Sequence, residues 1–245
     1  MLVAAALVPH PPLLIPSVAA GAADELDELR DACREALDVL QQSRPDLLVV
    51  VGGGDGDGAG IAHPGARGSM RPFGVDVDVA LPGIPTGLEP ASGDIGALPL
   101  SLTIAAWLLE QCGWSPPLLA RAISPATSSQ QAAHLGMAIS GYAPRVALLA
   151  VGDGSAALSR KAPGYLVPGA GEWQQLVNTA FAEGDREALL ALSDVDAQHF
   201  VASGRPVWQL MAGGFGDSAP ESTVHADIAP YGVSCLVVTW LQRMQ

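Results

Sequence analysis

Three short segments carry residue types that could do chemistry, and each follows a run of apolar residues. The first is Pro9-His10-Pro11-Pro12, where flanking prolines fix the backbone around one imidazole. An imidazole held in this way suits metal ligation or proton transfer. The second is Gly52-Gly53-Gly54-Asp55-Gly56-Asp57-Gly58, in which two carboxylates two residues apart could meet a hard cation. The same residues are also common turn formers. No Gly-Lys-Ser/Thr follows, and no GxGxxG opens a helix, so phosphate- and dinucleotide-binding loops are excluded. The third is Gly152-Asp153-Gly154-Ser155-Ala156. His63 stands in a Gly- and Pro-rich stretch, and His225-Ala226-Asp227 lies near the last apolar run; His134 and His199 fall within helical patterns. HExxH, GxSxG and Cys/His/Asn arrangements are absent, as is any CxxC spacing among Cys33, Cys112 and Cys235.

The elements that must position these residues follow from hydropathy. Leu2–Val8, 46–51 (apolar after Asp46) and Val146–Val151 are short apolar runs, the pattern of strands buried on both faces, and Leu118–Ile123 could be a further strand. Residues 233–240 read as a last strand, and 75–80 as a further short one inside an elaborated Gly/Pro-rich loop over 59–94. Helical spacing marks 24–42, 95–112, 128–141 (from a Ser cap), 172–182, 186–192, 195–202 and 207–212. Strands alternating with helices predict one α/β domain over 1–245, with a central, mostly parallel sheet flanked by helices. In such sheets ligands bind outside the carboxyl ends of the strands. Hence His10, Gly54, Asp55, Asp153, Ser155 and Ala156 are expected to surround one pocket.

Composition limits the partners. The chain of 245 residues has 12 Lys+Arg against 25 Asp+Glu, a formal net charge of −13, and Lys161 as its single lysine. That balance argues against nucleic-acid binding, which needs clustered cations. With 49% hydrophobic and 15% charged residues, the chain should bury a substantial core. No apolar run approaches membrane-spanning length, and the apolar start lacks a basic flank and a cleavage site. Three unpatterned cysteines fit a reducing compartment, so a cytoplasmic location is expected.

Four segments together resemble one family. Leu7-Val8-Pro9-His10-Pro11-Pro12-Leu13-Leu14-Ile15-Pro16 is similar to the opening of the class III extradiol ring-cleavage dioxygenases, the LigB-like catalytic subunits, and of their MEMO-type relatives. Gly152-Asp153-Gly154-Ser155-Ala156 with Ala162-Pro163-Gly164-Tyr165 resembles that family's Gly-Asp-Leu-Ser-His segment and the Ala-Pro-x-Gly-Tyr after it. Gly204-Arg205-Pro206 and Ala229-Pro230-Tyr231-Gly232-Val233 resemble its closing helix and its Ala-Pro-Phe-Gly-Val motif. The resemblance implies a LigB/MEMO-like fold and, in active members, Fe(II) held by two His and one carboxylate, with a further His as acid/base. Carried over, His10 matches the first ligand, whereas Gly53-Gly54-Asp55 stands where the second His is expected. Ala156 takes the place of the acid/base His. The carboxylate position falls on Ile228, with Asp227 one residue earlier. The expectation is therefore a homologue that has lost Fe(II)-dependent ring cleavage, needs no cofactor, and keeps a pocket for a small molecule or a partner. The alternative is an active Fe(II) enzyme rebuilt from His10, Asp55, His63 and Asp227. A third possibility, a structural subunit, follows from the family's habit of assembling, so a homo-oligomer belongs among the expectations.

Overall fold

The computed structural model describes residues 1–54, 59–83 and 97–243. Among them the strands are β1 (Leu2–Val8), β2 (Leu47–Gly53), β3 (Gly60–Ala62), β4 (Arg67–Ser69), β5 (Asp78–Ala80), β6 (Leu118–Ile123), β7 (Val146–Val151), β8 (Glu221–Ile228) and β9 (Cys235–Leu241). The helices are α1 (Pro16–Ala19), α2 (Asp27–Gln42), α3 (Leu100–Gln111), α4 (Ser129–Ser140), α5 (Ala170–Glu183), α6 (Arg186–Leu190), α7 (Asp194–His199) and α8 (Arg205–Gly214).

Seven strands form one sheet in the order β3-β6-β2-β7-β1-β9-β8, and β4 pairs with β5 in a separate ribbon. The four inner strands β6, β2, β7 and β1 are parallel. However, β3, β9 and β8 each run antiparallel to their inner neighbour, so the sheet is mixed rather than mostly parallel. The chain reaches β9 by a tight turn at Pro230–Gly232 after β8, and such a return without a crossover helix produces an antiparallel pair. Two layers of helix cover the sheet, as the continuous apolar runs require. One face packs on α2 and α3 through Cys33, Leu37 and Leu102. The other packs on α4, α5 and α8 through Ile139, Phe181 and Trp208. Ala4, Ala5 and Ala6, all fully buried, give β1 a thin profile that lets both layers come close. No described helix is long and apolar enough to cross a membrane.

Residues Ala20–Leu26 wind as a 3₁₀ segment, so α2 starts at Asp27, three residues later than its hydrophobic spacing predicts. Ser128 caps α4 with a reciprocal bond pair to Gln131. The edge strand β8 was not predicted. Only one of its eight residues is buried, so no apolar alternation marks it, and it is bulged at Val224/Ala226, a device that protects free sheet edges.

Candidate functional site

The exits of β1 and β7 meet, because those strands are neighbours in register up to Val8 opposite Val151. The backbone N–H of His10 donates to Asp153 Oδ1 at 2.7 Å. The imidazole Nδ1 lies 3.4 Å from the same oxygen, with His10 and Asp153 side chains 14% and 17% exposed. Nδ1 is buried and makes no hydrogen bond among the described residues. The carboxylate thus caps the proline-locked end of β1 and faces one side of the ring. Glycines flank Asp153 for a steric reason. A Cβ on Gly152 would sit 2.9 Å from Gly204 Cα, and one on Gly154 would sit 2.7 Å from Gln174 Oε1. Only a Cβ-free chain passes between these elements.

A crevice of about 290 Å³ opens beside this pair. Asp153 and Ala156 form part of its wall together with Pro11, Pro12, Leu26, Pro163, Tyr231 and Cys235, and exposed Lys161 stands at its rim. The proline-rich wall costs little entropy to order, since each ring already fixes φ. Tyr231 Oη donates to Glu25 Oε2 at 2.6 Å, which raises the phenol's pKa and fixes the ring across the opening. Burial, reinforced by the Asp153 charge, pushes the Cys235 thiol up, so it is held neutral and is a poor nucleophile.

The other expected site residues fare differently. Like His10, Ser155 does not line the crevice. It is fully buried, its N–H donates to Gln174 Oε1 at 2.7 Å, and its Oγ donates to the Phe200 carbonyl at 2.6 Å. Its polarity serves to satisfy a buried loop. Gly54 extends the β2–β6 pairing through its N–H to Ile123 O, and β7 separates it from β1. Asp55 and Asp57 lie outside the described residues. His63 follows β3, which runs antiparallel to β6, so it leaves the sheet at the amino end of the parallel strands. Four strand spacings, roughly 19 Å, also separate β3 from β1. His63 therefore cannot join His10. Asp227 accepts a bond from Asn178 Nδ2 at 2.7 Å on the α5 face, while Leu26 and Cys235 place the crevice on the α2 face.

This corrects the rebuilt ligand set, since two of its four members point elsewhere. His10 and Asp153 offer one imidazole and one carboxylate. Among the described residues no three His, Cys, Asp or Glu side chains converge as a metal site. They do not fit the two-His, one-carboxylate set of a non-haem iron centre. Sequence reasoning missed the polar chain Ser155–Gln174–Asn178–Asp227 that ties the β7 exit to the edge strand. Gln174 and Asn178 stand four apart in α5, a spacing that places them on one face, and that was the available signal.

The architecture defines an α/β protein built on a seven-stranded mixed sheet flanked by helices. It is similar in fold to the crystal structure of an uncharacterized protein, JW3007, from Escherichia coli K12. The TM-score is 0.52 and the sequence identity 14%, over 97% of this chain and 99% of that one. No protein-family model matches the chain, and no curated protein matches it.

Proposed function

We propose that this chain is a divergent LigB/MEMO-like protein that binds a small organic molecule in the crevice walled by Asp153 and Ala156, without Fe(II)-dependent ring cleavage. The observation that carries this reading is the crevice wall itself, an apolar, proline-rigid enclosure with one carboxylate and with Ala156 facing the space. The family's proton-transferring imidazole is expected at Ala156. Its methyl group cannot move a proton, a role typically worth about 10²–10⁴ in rate. His10, already placed against Asp153, has no second imidazole beside it among the described residues. The ligand class is a small aromatic or alicyclic molecule whose hydroxyl or amine donates to Asp153.

Two measurements test this. Anaerobic calorimetry with Fe(II) is expected to show no sub-micromolar, His10-dependent binding, and an oxygen electrode no uptake with protocatechuate and added Fe(II). Uptake abolished by His10→Ala would overturn the loss of ring cleavage. In parallel, saturation-transfer NMR with 4-methylcatechol is expected to report contact that Ala156→Phe removes by filling the crevice. Contact unaffected by that substitution, or none in the unmodified protein, would overturn the crevice as the binding site.

A further inference from the structure

Arg121 is the fourth residue of β6, in the sequence Leu118-Leu119-Ala120-Arg121-Ala122-Ile123. Its partners in register are Val51 on β2 and Ile61 on β3, both buried and apolar. It shares with Leu119 and Ile123 the sheet face covered by α4 and α8. A guanidinium in such a row would ordinarily find a carboxylate, yet none of the described residues pairs with it. Its Nε is buried with no hydrogen-bond partner. Leaving a half-buried cation unpaired is costly in a chain whose acids outnumber its bases 25 to 12.

The guanidinium lines a groove of about 460 Å³ at the carboxyl end of β6. Ser124, Thr127 and Gln131 add polar groups, while Ile123, Ala126 and Leu135 supply an apolar flank; no described carboxylate lines it. The side-chain oxygen of Gln131 already accepts from the Ser128 N–H, so its amide hydrogens are left to donate. The loop wall is fixed from behind. Buried Arg205 donates to the carbonyls of Pro125 and Thr127 at 3.3 and 3.0 Å and to Gln209 Oε1 at 2.7 Å. Among the described residues the groove is therefore a preorganised, donor-rich recess with no carboxylate and with one cation that none of them pairs.

We propose that Arg121 anchors a second small-molecule site, which takes an organic anion, a carboxylate or phosphate monoester, bearing a short apolar tail. The anion pairs with the guanidinium fork, the geometry that arginine offers to both groups. The tail lies along Ile123, Ala126 and Leu135. This site is independent of the Asp153 crevice, which lies on the opposite face of the sheet.

Calorimetric titration of the full chain with hexanoate, hexyl phosphate and hexanol tests the assignment. Saturable one-to-one binding of at least one of the two anions is expected, weakened by salt, with hexanol binding far more weakly. Comparison of the two anions identifies which head group the site prefers. Arg121→Gln should weaken the anion by roughly tenfold to a hundredfold, and Arg121→Lys by less. Ala126→Glu, at an exposed position of the groove wall, places a repelling carboxylate there and should abolish binding even where an Arg121 variant folds poorly. Absence of anion binding, equal binding of hexanol, or binding indifferent to both Arg121→Gln and Ala126→Glu would each overturn the proposal.

Discussion

Gly136→Ala is expected to lower the thermal midpoint by roughly 6–12 °C, although alanine is ordinarily the better helix former. In the interior of α4 the substitution should gain about 1 kcal/mol of helix propensity. Against that stands the crossing with α8. A Cβ on Gly136 would run into the Leu210 carbonyl oxygen and sit 2.7 Å from Gly214 N. From the other side, a Cβ on Gly213 would lie 2.5 Å from Ala133 Cα. The obstacles are backbone atoms within helices, so no side chain can rotate away. The helices must separate, and a gap of even 0.5–1 Å forfeits a quarter to a half of each contact along the crossing. The net cost should be about 3 kcal/mol. Gly171→Ala, at an exposed position of α5, supplies the control, since nothing lies within 4 Å of its Cβ. It should leave the midpoint unchanged or raise it. Thermal unfolding followed by circular dichroism compares the two; a Gly136→Ala midpoint at or above that of the unmodified protein would show that the crossing is not so close.

The same crossing shows where sequence reading reaches its limit. The strands Leu2–Val8 and Val146–Val151 were legible to the residue, because a run with no polar member can be accommodated only where both faces are buried. Ser128 marked the start of α4 through its capping chemistry. In contrast, Glu221–Ile228 carried no such signal, since an edge strand needs no continuous apolar face. The direction of β3, which places His63 at the wrong end of the sheet, is set by pairing with β6 and not by anything local in Gly60-Ile61-Ala62.

The candidate site divides similarly. That His10 and Asp153 would converge followed from two strand exits, and they meet through a hydrogen bond. The place of Ser155 did not follow, because a serine that satisfies buried carbonyls and one that lines a pocket look identical in sequence. Arg121 was the overlooked signal, a charge set among five apolar residues of a buried strand. It is legible only if the strand's amphipathic exception is weighed as heavily as its rule.

Alkaline pH provides the second large effect. Burial pushes the Cys33 thiol up to about 12, and the nearby Cys112 adds to the shift. The thiol of Cys235 is raised as well, by burial and by Asp153. In the unfolded chain both thiols ionise near 9. Between that value and the folded one the unfolded state binds fewer protons, so stability falls as pH rises. Below pH 9 both states hold the thiols neutral and the contribution vanishes. Each thiol should cost about 1.4 kcal/mol per pH unit within the window, so two together remove roughly 5 kcal/mol by pH 11, a large fraction of a typical domain's stability. Cys112, raised by burial, and the Tyr231 phenol add to the fall, but with a single lysine and three tyrosines in the chain little else titrates here. Urea unfolding at pH 8, 9, 10 and 11 should show a steep fall in the unmodified protein and a clearly shallower one in Cys33→Ala. The substitution also lowers stability at pH 8 by leaving a small cavity, but a cavity's cost does not depend on pH. The slope is therefore the readout, and an identical slope in Cys33→Ala would show that this thiol ionises as readily in the folded protein as outside it.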